Sequence, residues 1–475
     1  MKRIGILVVA YNAVTTLASV LDRIPPHFIE RVSKIIVNDD FSTDATYLVG
    51  LGYRELRPGL PLEVIRHPHN LGYGGNQKAG YRWAVEQDLD IVVLLHGDGQ
   101  YAPELLPEIV APLERGECDA VFGSRMLSSG AARAGGMPLY KYVGNRILTR
   151  VENAATGMAL SEWHSGYRAY SVEALRSIPF EANADGFEFD TQIILQLHEA
   201  GRRIVEIPIP TYYGDEISYV NGLAYARDVV RDVLVYRAHK VGLGSGEAAF
   251  ASSRYEQKTG HDTSHGRLLE VLGAIPPTKV LDVGCADGRL GARVRELGHK
   301  VVGVDITADD DVEQRLDAFV QADLDRSLPA EVGDGYGVVL AADVLEHVRD
   351  PQRLLEELAT RLEPGGVIVT SVPNFGHWYP RAKVALGRFD YDRRGILDRG
   401  HVRFFTRASF EALARRAGLD VRRLGAVGVP LEVAARGSSG GPGEHRFVDQ
   451  AQAAAVAVWP TLFAYQMVYE LQPRR

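Results

Sequence analysis

Asp39 and Asp40 close one β-rich run, Ile35-Ile36-Val37-Asn38-Asp39-Asp40, and Asp98 follows another in Leu94-Leu95-His96-Gly97-Asp98-Gly99-Gln100. Far along the chain, Val280-Leu281-Asp282-Val283-Gly284-Cys285-Ala286-Asp287-Gly288 precedes Val301-Val302-Gly303-Val304-Asp305. Carboxylates at the ends of parallel strands can accept hydrogen bonds from ribose hydroxyls and base N–H groups. Glycines beside them let the backbone approach a ligand closely. Each pair of runs therefore reads as a nucleotide site at a sheet edge. Two such pairs with different motifs point to two different group-transfer sites in one polypeptide.

The first site has what transfer of a sugar from a nucleoside diphosphate requires. The nucleoside must be held, the leaving diphosphate neutralised, and an acceptor placed behind the anomeric carbon. Val9-Ala10-Tyr11-Asn12, Asp39-Asp40, the glycine-rich stretch from Asn70 to Gly80 with Lys78, and Asp98-Gly99-Gln100 come in order. Gly123-Ser124-Arg125, Ser165-Gly166-Tyr167-Arg168 and Gly186-Phe187-Glu188-Phe189-Asp190 complete the series. Over about residues 3–215 this string resembles the family 2 glycosyltransferases, most closely their dolichol-phosphate mannosyltransferase-like branch. The resemblance implies an A-type glycosyltransferase fold, a nucleotide-sugar donor and a polyprenyl-phosphate or glycan acceptor. It further implies that Asn12, Asp39 and Asp40 hold the nucleoside and that Lys78, Arg125 and Arg168 face the donor or an acceptor phosphate. Asp98 falls at the catalytic metal–diphosphate centre, with His96 and Gln100 as further candidate ligands. His96 stands where the family pattern Asp-x-Asp has its first acid, which shifts the metal preference from Mg²⁺ toward Mn²⁺. Asp190 is the candidate general base, needed for a hydroxyl acceptor but not for an anionic lipid phosphate. Singly, each motif has an ordinary reading: Asp44 as a helix cap, the glycines as a turn. A nucleotidyltransferase would carry a Gly/Arg-rich phosphate loop after the first strand, where Ala10-Tyr11-Asn12-Ala13 stands instead.

At the second site, Gly284, Ala286 and Gly288 are followed by Arg289, which breaks the Gly-x-Gly-x-x-Gly pattern of dinucleotide binding. The loop, with Ala322-Asp323-Leu324, Ala342-Asp343-Val344-Leu345-Glu346-His347-Val348 and His401-Val402-Arg403-Phe404-Phe405, resembles the class I S-adenosylmethionine-dependent methyltransferases over about residues 255–475. That resemblance implies that Asp282, Gly284, Ala286 and Gly288 border the methionine portion of the cofactor. It assigns the ribose to Asp305 and the adenine to Asp323 and Leu324. The sulfonium already activates the methyl group, so catalysis is largely alignment. A hydroxyl acceptor must also lose a proton, for which His347, His401 and His377 are the candidate bases.

The elements that position these residues follow from periodicity. Strands are expected at 3–9, 34–38, 62–66, 91–95, 119–122 and 203–207, with helices such as 75–86 and 103–114 between them. After Val241-Gly242-Leu243-Gly244-Ser245-Gly246-Glu247 the rhythm restarts, with strands at 279–282, 300–305, 319–322, 337–341, 367–371 and near 463–471. The expected organisation is two α/β, Rossmann-like domains, 1–240 and 255–475, joined by a linker at 241–254. A second Gly/Ser-rich stretch, 436–443, reads as a loop of the second domain. The helical stretch 219–240 carries Leu223, Val230, Val233 and Leu234 on one side; it packs on its own domain or, alternatively, rests on a membrane surface.

Composition bounds the rest. At 475 residues the chain exceeds one ordinary core, and its 46% hydrophobic content is that of a globular protein. A net charge of −8 with scattered arginines gives no nucleic-acid-binding surface. Two cysteines, far apart and without a metal-ligand partner nearby, argue against a disulfide framework or zinc site and fit a reducing compartment; the expected location is cytoplasmic, with the inner face of the membrane as the alternative. The N-terminal apolar run is too short for a signal peptide, and no stretch has the length of a transmembrane span. The expectation is a bifunctional enzyme using a nucleotide sugar, S-adenosylmethionine and Mn²⁺ or Mg²⁺. The alternative is a methyltransferase whose first domain only binds sugar nucleotides.

Overall fold

The computed structural model describes residues 2–128, 130–210, 222–240, 243–244, 263–308, 311–392, 395–429 and 446–474. The chain divides into two compact units; Met1–Arg237 forms the body of the first, and Arg254–Arg436 with Gly440–Arg475 that of the second. Apart from 243–244, the expected linker at 241–254 lies outside the described residues, as does the 436–443 stretch.

In the first unit, β1 (Ile4–Ala10), β2 (Val32–Asp39), β3 (Leu62–Arg66), β4 (Ile91–His96), β5 (Ala120–Ser124), β6 (Arg168–Ser171) and β7 (Ile204–Pro208) form one sheet in the order β3-β2-β1-β4-β6-β5-β7. All neighbours are parallel except β6, which runs antiparallel to β4 and β5. Alternation within the strands sets the two faces. Ile4, Ile6, Val8, Val93 and Leu95 enter one buried cluster, while Leu7, Val92 and Leu94 enter the other with Tyr81 and Trp83 of the helix Gly72–Glu86. His96 follows Val92 and Leu94 in this alternation, so its side chain lies on the face covered by that helix. The helix Gly222–Lys240 buries Val229, Val233 and Tyr236, and Tyr236 joins the same cluster. The buried stripe is thus one residue out of phase with Val230 and Leu234, and it packs on its own unit.

In the second unit, β8 (Lys279–Val283), β9 (Lys300–Asp305), β10 (Ala318–Gln321), β11 (Tyr336–Ala342), β12 (Leu362–Pro373), β13 (Leu419–Val427) and β14 (Gln466–Pro473) are ordered β10-β9-β8-β11-β12-β14-β13. Only β14 is antiparallel, between β12 and β13. Two mixed α/β sheets are therefore present, in keeping with the expected pair of α/β domains, each with seven strands where six were expected. Two strands escaped the sequence reading. β6 has only four residues, inside a stretch read as a binding motif, and β13 is an edge strand interrupted by Arg422 and Arg423.

Gly303 in β9 shows how closely the second sheet meets its glycine-rich loop. A Cβ there would lie 2.7 Å from Cys285 Sγ and collide with Leu316. Overpacking of a filled core costs about 1–3 kcal/mol. Gly303→Ala is therefore expected to lower stability by about that amount in denaturant unfolding; wild-type stability would contradict the packing described.

Candidate active sites

Register brings the first set of residues together. Ala10 pairs with Asp39 and Val9 with both Asn38 and His96, so Asn12, Asp39, Asp40 and Asp98 follow adjacent strands at one sheet edge. The acids are tied into neighbouring loops. Asp39 is buried, accepts from the Ser42 hydroxyl and lies 3.4 Å from the Arg66 guanidinium. Asp40 accepts from Leu71 N–H at 2.7 Å, and burial raises its pKa from the usual aspartate value. Asn12, at φ +50°, accepts from Thr43 N–H at 2.9 Å, while its own N–H donates to Ser42 Oγ. Asp44 is not the cap of the helix Thr46–Leu56, whose N-cap is Ala45 without a side-chain bond; it accepts from Thr46 N–H at 2.9 Å and from Val14 N–H at 3.3 Å. Two aromatic side chains missed in the sequence lie beside these acids: Tyr11, 40% exposed, and Phe41, 43% exposed, with Arg66 over the Phe41 ring. Their signal was an apolar side chain next to a strand-end polar residue.

The glycine-rich stretch packs on residues 184–189. Gly74 N–H donates to Asp185 O, and a Cβ at Gly74 would sit 2.6 Å from Ala184 O and 2.7 Å from Phe189 Cβ. Lys78 belongs to the same contact. Its ammonium donates to Asn183 O at 2.7 Å and pairs with Asp185 at 2.6 Å. Expected at the donor, Lys78 instead fastens this loop.

Two arginines are likewise held by the protein itself. Arg168 is buried, donating from Nε to Ser165 O and from its terminal nitrogens to Trp163 O and Asp190 O, with the Asp190 carboxylate at 3.4 Å. Arg125 pairs with the buried Glu162, to which Asn145 also donates, and reaches His164 O. Both guanidiniums are engaged by internal oxygens, because β6 and the residues before it run under the site. Asp190 itself is buried and accepts from Tyr73 O–H at 2.9 Å. Tyr73 also contacts the His96 ring, whose other side meets Tyr101.

The expected metal ligands divide. His96 Nε2 is buried without a hydrogen-bond partner, and a Cβ on Gly166 would lie 2.8 Å from it. Burial lowers the His96 pKa and keeps the ring neutral. Asp98, by contrast, is exposed and accepts from Gln100 N–H at 3.0 Å. Asp98 fits a cation at the sheet edge; His96 Nε2, turned inward by strand parity, does not.

In the second unit, Gly284, Ala286 and Gly288 all have positive φ, +68°, +47° and +74°. This winds the loop over the end of β8 and starts the helix Arg289–Glu296. Ala286 N–H donates to Asp305 Oδ2 at 2.9 Å, and Thr307 donates to Oδ1 through its N–H and hydroxyl. Asp282 is buried, its Oδ2 unpartnered, and burial with the nearby Asp305 pushes its pKa up to about 7. Asp323 accepts from Asp325 N–H, and Leu324 packs against the core.

After β11 the chain turns sharply at Asp343, φ +55°, whose carboxylate is held by Ser371 Oγ at 2.6 Å and Gln466 Nε2 at 2.8 Å. A Cβ on Gly284 would lie 2.6 Å from Val344, so this turn presses on the glycine-rich loop. Glu346 is 1% exposed, and neither carboxylate oxygen has a partner. Burial, then the nearby Asp343, raises its pKa well above the carboxylate range. The His347 and His401 rings lie 4.8 Å apart beside it. His377 is not with them. It caps the helix Trp378–Ala385, accepting from Tyr379 N–H, and burial lowers its pKa to about 4.

Residues 5–178 match the model of glycosyl transferase family 2, and residues 258–424 that of a methyltransferase domain. A UDP-N-acetylglucosamine–dolichyl-phosphate N-acetylglucosaminyltransferase of Methanococcus voltae is 28% identical over 45% of this chain and 86% of its own length. An uncharacterised protein of Methanocaldococcus jannaschii is 30% identical over 39% of this chain and 72% of its own length. A ubiquinone biosynthesis O-methyltransferase of Cupriavidus pinatubonensis is 28% identical over 35% of this chain and 70% of its own length. The first unit carries a glycosyl transferase family 2 domain and the second a methyltransferase domain; the chain is a two-domain transferase built on two seven-stranded mixed α/β sheets.

Two outcomes follow. Removing one partner of a buried ion pair costs about 3–5 kcal/mol. Arg168→Met should therefore lower the melting temperature of the first unit by ~6–20 °C; an unchanged melting temperature with lost phosphate binding would restore Arg168 to the binding surface. The folded second unit favours protonated Asp282, so its stability falls as pH rises from about 4 to about 7. Melting temperatures at pH 5 and pH 8 should differ less in Asp282→Asn than in wild type; an identical difference contradicts the assignment.

Proposed function

We propose that the protein is bifunctional, with domains at 1–240 and 255–475 joined through 241–254. The first domain would transfer a sugar from a nucleoside diphosphate sugar to a polyprenyl-phosphate or glycan acceptor. The second would methylate a sugar or related small acceptor from S-adenosylmethionine. The observation that carries this reading is the parallel register that collects Asn12, Asp39, Asp40 and Asp98 at one sheet edge, with an equivalent loop–acid pair, Ala286 and Asp305, in the second unit.

In the first domain, Asp39, Asp40 and Asn12 shape the nucleoside pocket by fixing the loops around it, and Tyr11 and Phe41 offer faces for a base. A divalent cation held by Asp98, Mn²⁺ or Mg²⁺, would neutralise the leaving diphosphate. Asp190, held by Tyr73, is the carboxylate available as base when the acceptor is a hydroxyl. Arg168 beside it, Arg125 on Glu162 and Lys78 on Asp185 hold the walls. In the second domain, the three positive-φ residues leave backbone close to the methionine portion and Asp305 accepts from the ribose. Asp323 and Leu324 flank the adenine. Among the described residues no helix is long and apolar enough to cross a membrane. Both donors are soluble metabolites, and we place the reactions on the cytoplasmic side, in peripheral contact with a membrane when the acceptor is a lipid.

The buried Nε2 of His96 favours one second reading, a first domain that binds sugar nucleotides without turning them over. Incubation with UDP- and GDP-sugars, Mn²⁺ or Mg²⁺ and a polyprenyl phosphate separates the two. The bifunctional reading expects sugar transfer that falls at least about 100-fold in Asp98→Ala, the scale of losing a transition-state charge contact. Donor binding without transfer supports the binding-module reading. Asp305→Ala should abolish S-adenosylmethionine binding without affecting the sugar donor.

A further inference from the structure

Glu346, His347 and His401 are the described His, Cys, Asp and Glu residues that meet as a cluster: one ligand atom from each lies within 4.8 Å of the others. Backbone hydrogen bonds build this cluster from distant segments. Glu346 O accepts from Val402 N–H at 2.9 Å and Arg403 N–H at 3.0 Å, which brings His401 against the turn after β11. Each imidazole is oriented by a carbonyl. His347 Nδ1 lies 2.9 Å from Gly400 O, and His401 Nδ1 lies 3.1 Å from Ile396 O. A carbonyl only accepts, so both Nδ1 atoms carry a proton, and in the neutral ring that leaves Nε2 with the lone pair a metal needs. One nitrogen of each ring lies within 4.8 Å of an oxygen of Glu346, which is 1% exposed and has no donor on either oxygen. Acceptor atoms gathered in this way without a donor call for a cation.

We propose that Glu346, His347 and His401 bind one first-row divalent transition cation. Two imidazoles and one carboxylate suit Zn²⁺, Co²⁺ or Mn²⁺ better than Mg²⁺ or Ca²⁺. Glu346 and His401 are buried while His347 is exposed, so the site is closed on two sides and open on one, as a site that admits a substrate oxygen requires. The position fits that use, because Val344 in the same turn packs on Gly284 of the cofactor loop.

Resting on the methyltransferase reading, the cation takes an acceptor hydroxyl and lowers its pKa, and the proton passes to water. The acceptor oxygen then forms the new O–C bond while the methyl C–S pair returns to sulfur, releasing S-adenosylhomocysteine. His347 and His401 act as ligands, with no imidazole lone pair left to serve as a base.

The test uses the full chain, stripped with chelator and titrated with Co²⁺, reading metal content and visible absorption. Wild type should take up one equivalent at a nitrogen-ligated site that Asp98→Ala retains. Glu346→Gln, His401→Ala and His347→Ala should each weaken that equivalent by at least about tenfold. A thermal melt of each variant accompanies the titration, and His347→Ala, which removes an exposed side chain, should lose the metal while keeping the wild-type melting temperature of the stripped protein. Absence of the nitrogen-ligated equivalent in wild type, or wild-type uptake by His347→Ala and Glu346→Gln, overturns the proposal. S-adenosylmethionine binding, followed by thermal shift on the same samples, tests the methyltransferase reading separately, and its failure would leave the Co²⁺ result to stand or fall by itself.

Discussion

Both units depend on one arrangement: an acid at the end of a parallel strand accepts a hydrogen bond from the backbone of a neighbouring loop. Asp40 takes Leu71 N–H, Asp39 takes Ser42, and Asp305 takes Ala286 N–H. A strand-end carboxylate left without such a donor would repel its neighbours and cost free energy to bury. With the donor it orders the loop that approaches the ligand. The register of β1 with β2 and β4, and of β8 with β9, then decides which acids share an edge.

A second constraint is strand parity, which divides side chains that are close in sequence. His96 and Asp98 are two residues apart, yet His96 continues the Val92–Leu94 face into a buried aromatic setting while Asp98, past the end of β4, is exposed. A similar division separates Arg168 from solvent. A guanidinium buried among Ser165 O, Trp163 O and the Asp190 carboxylate is a clamp under the sheet edge. In the second unit the same economy fails at Glu346, whose carboxylate has no donor, and it fails beside two oriented imidazoles.

Much of this was legible in the sequence. The alternation of short apolar runs with helical stretches set out both sheets, and the loop at Gly284–Gly288 with Asp305 was readable because positive-φ glycines and strand-end acids are local signals. The destinations of long cationic side chains were not. Arg125, Arg168 and Lys78 could be placed at the site by motif, but their partners Glu162, Asp190 and Asp185 come from other segments and are set by packing. Glu346 lay inside a quoted motif and was passed over, because its isolation from donors exists only after residues 396–403 fold against it. Parity places His96 on the face of Val92 and Leu94, but that this face is the one covered by the helix Gly72–Glu86 is set by packing, and the sequence reading held His96 only as a candidate metal ligand.

The central claim is that each unit carries its own ligand site at its own sheet edge. Differential scanning calorimetry of the full chain tests it most directly, with a nucleoside diphosphate and S-adenosylhomocysteine added separately. Ligand binding to one folded unit stabilises that unit by mass action. The account predicts two unfolding transitions, one raised only by UDP or GDP with Mn²⁺ and the other only by S-adenosylhomocysteine. Both ligands raising the same transition, or either ligand raising neither, would contradict it.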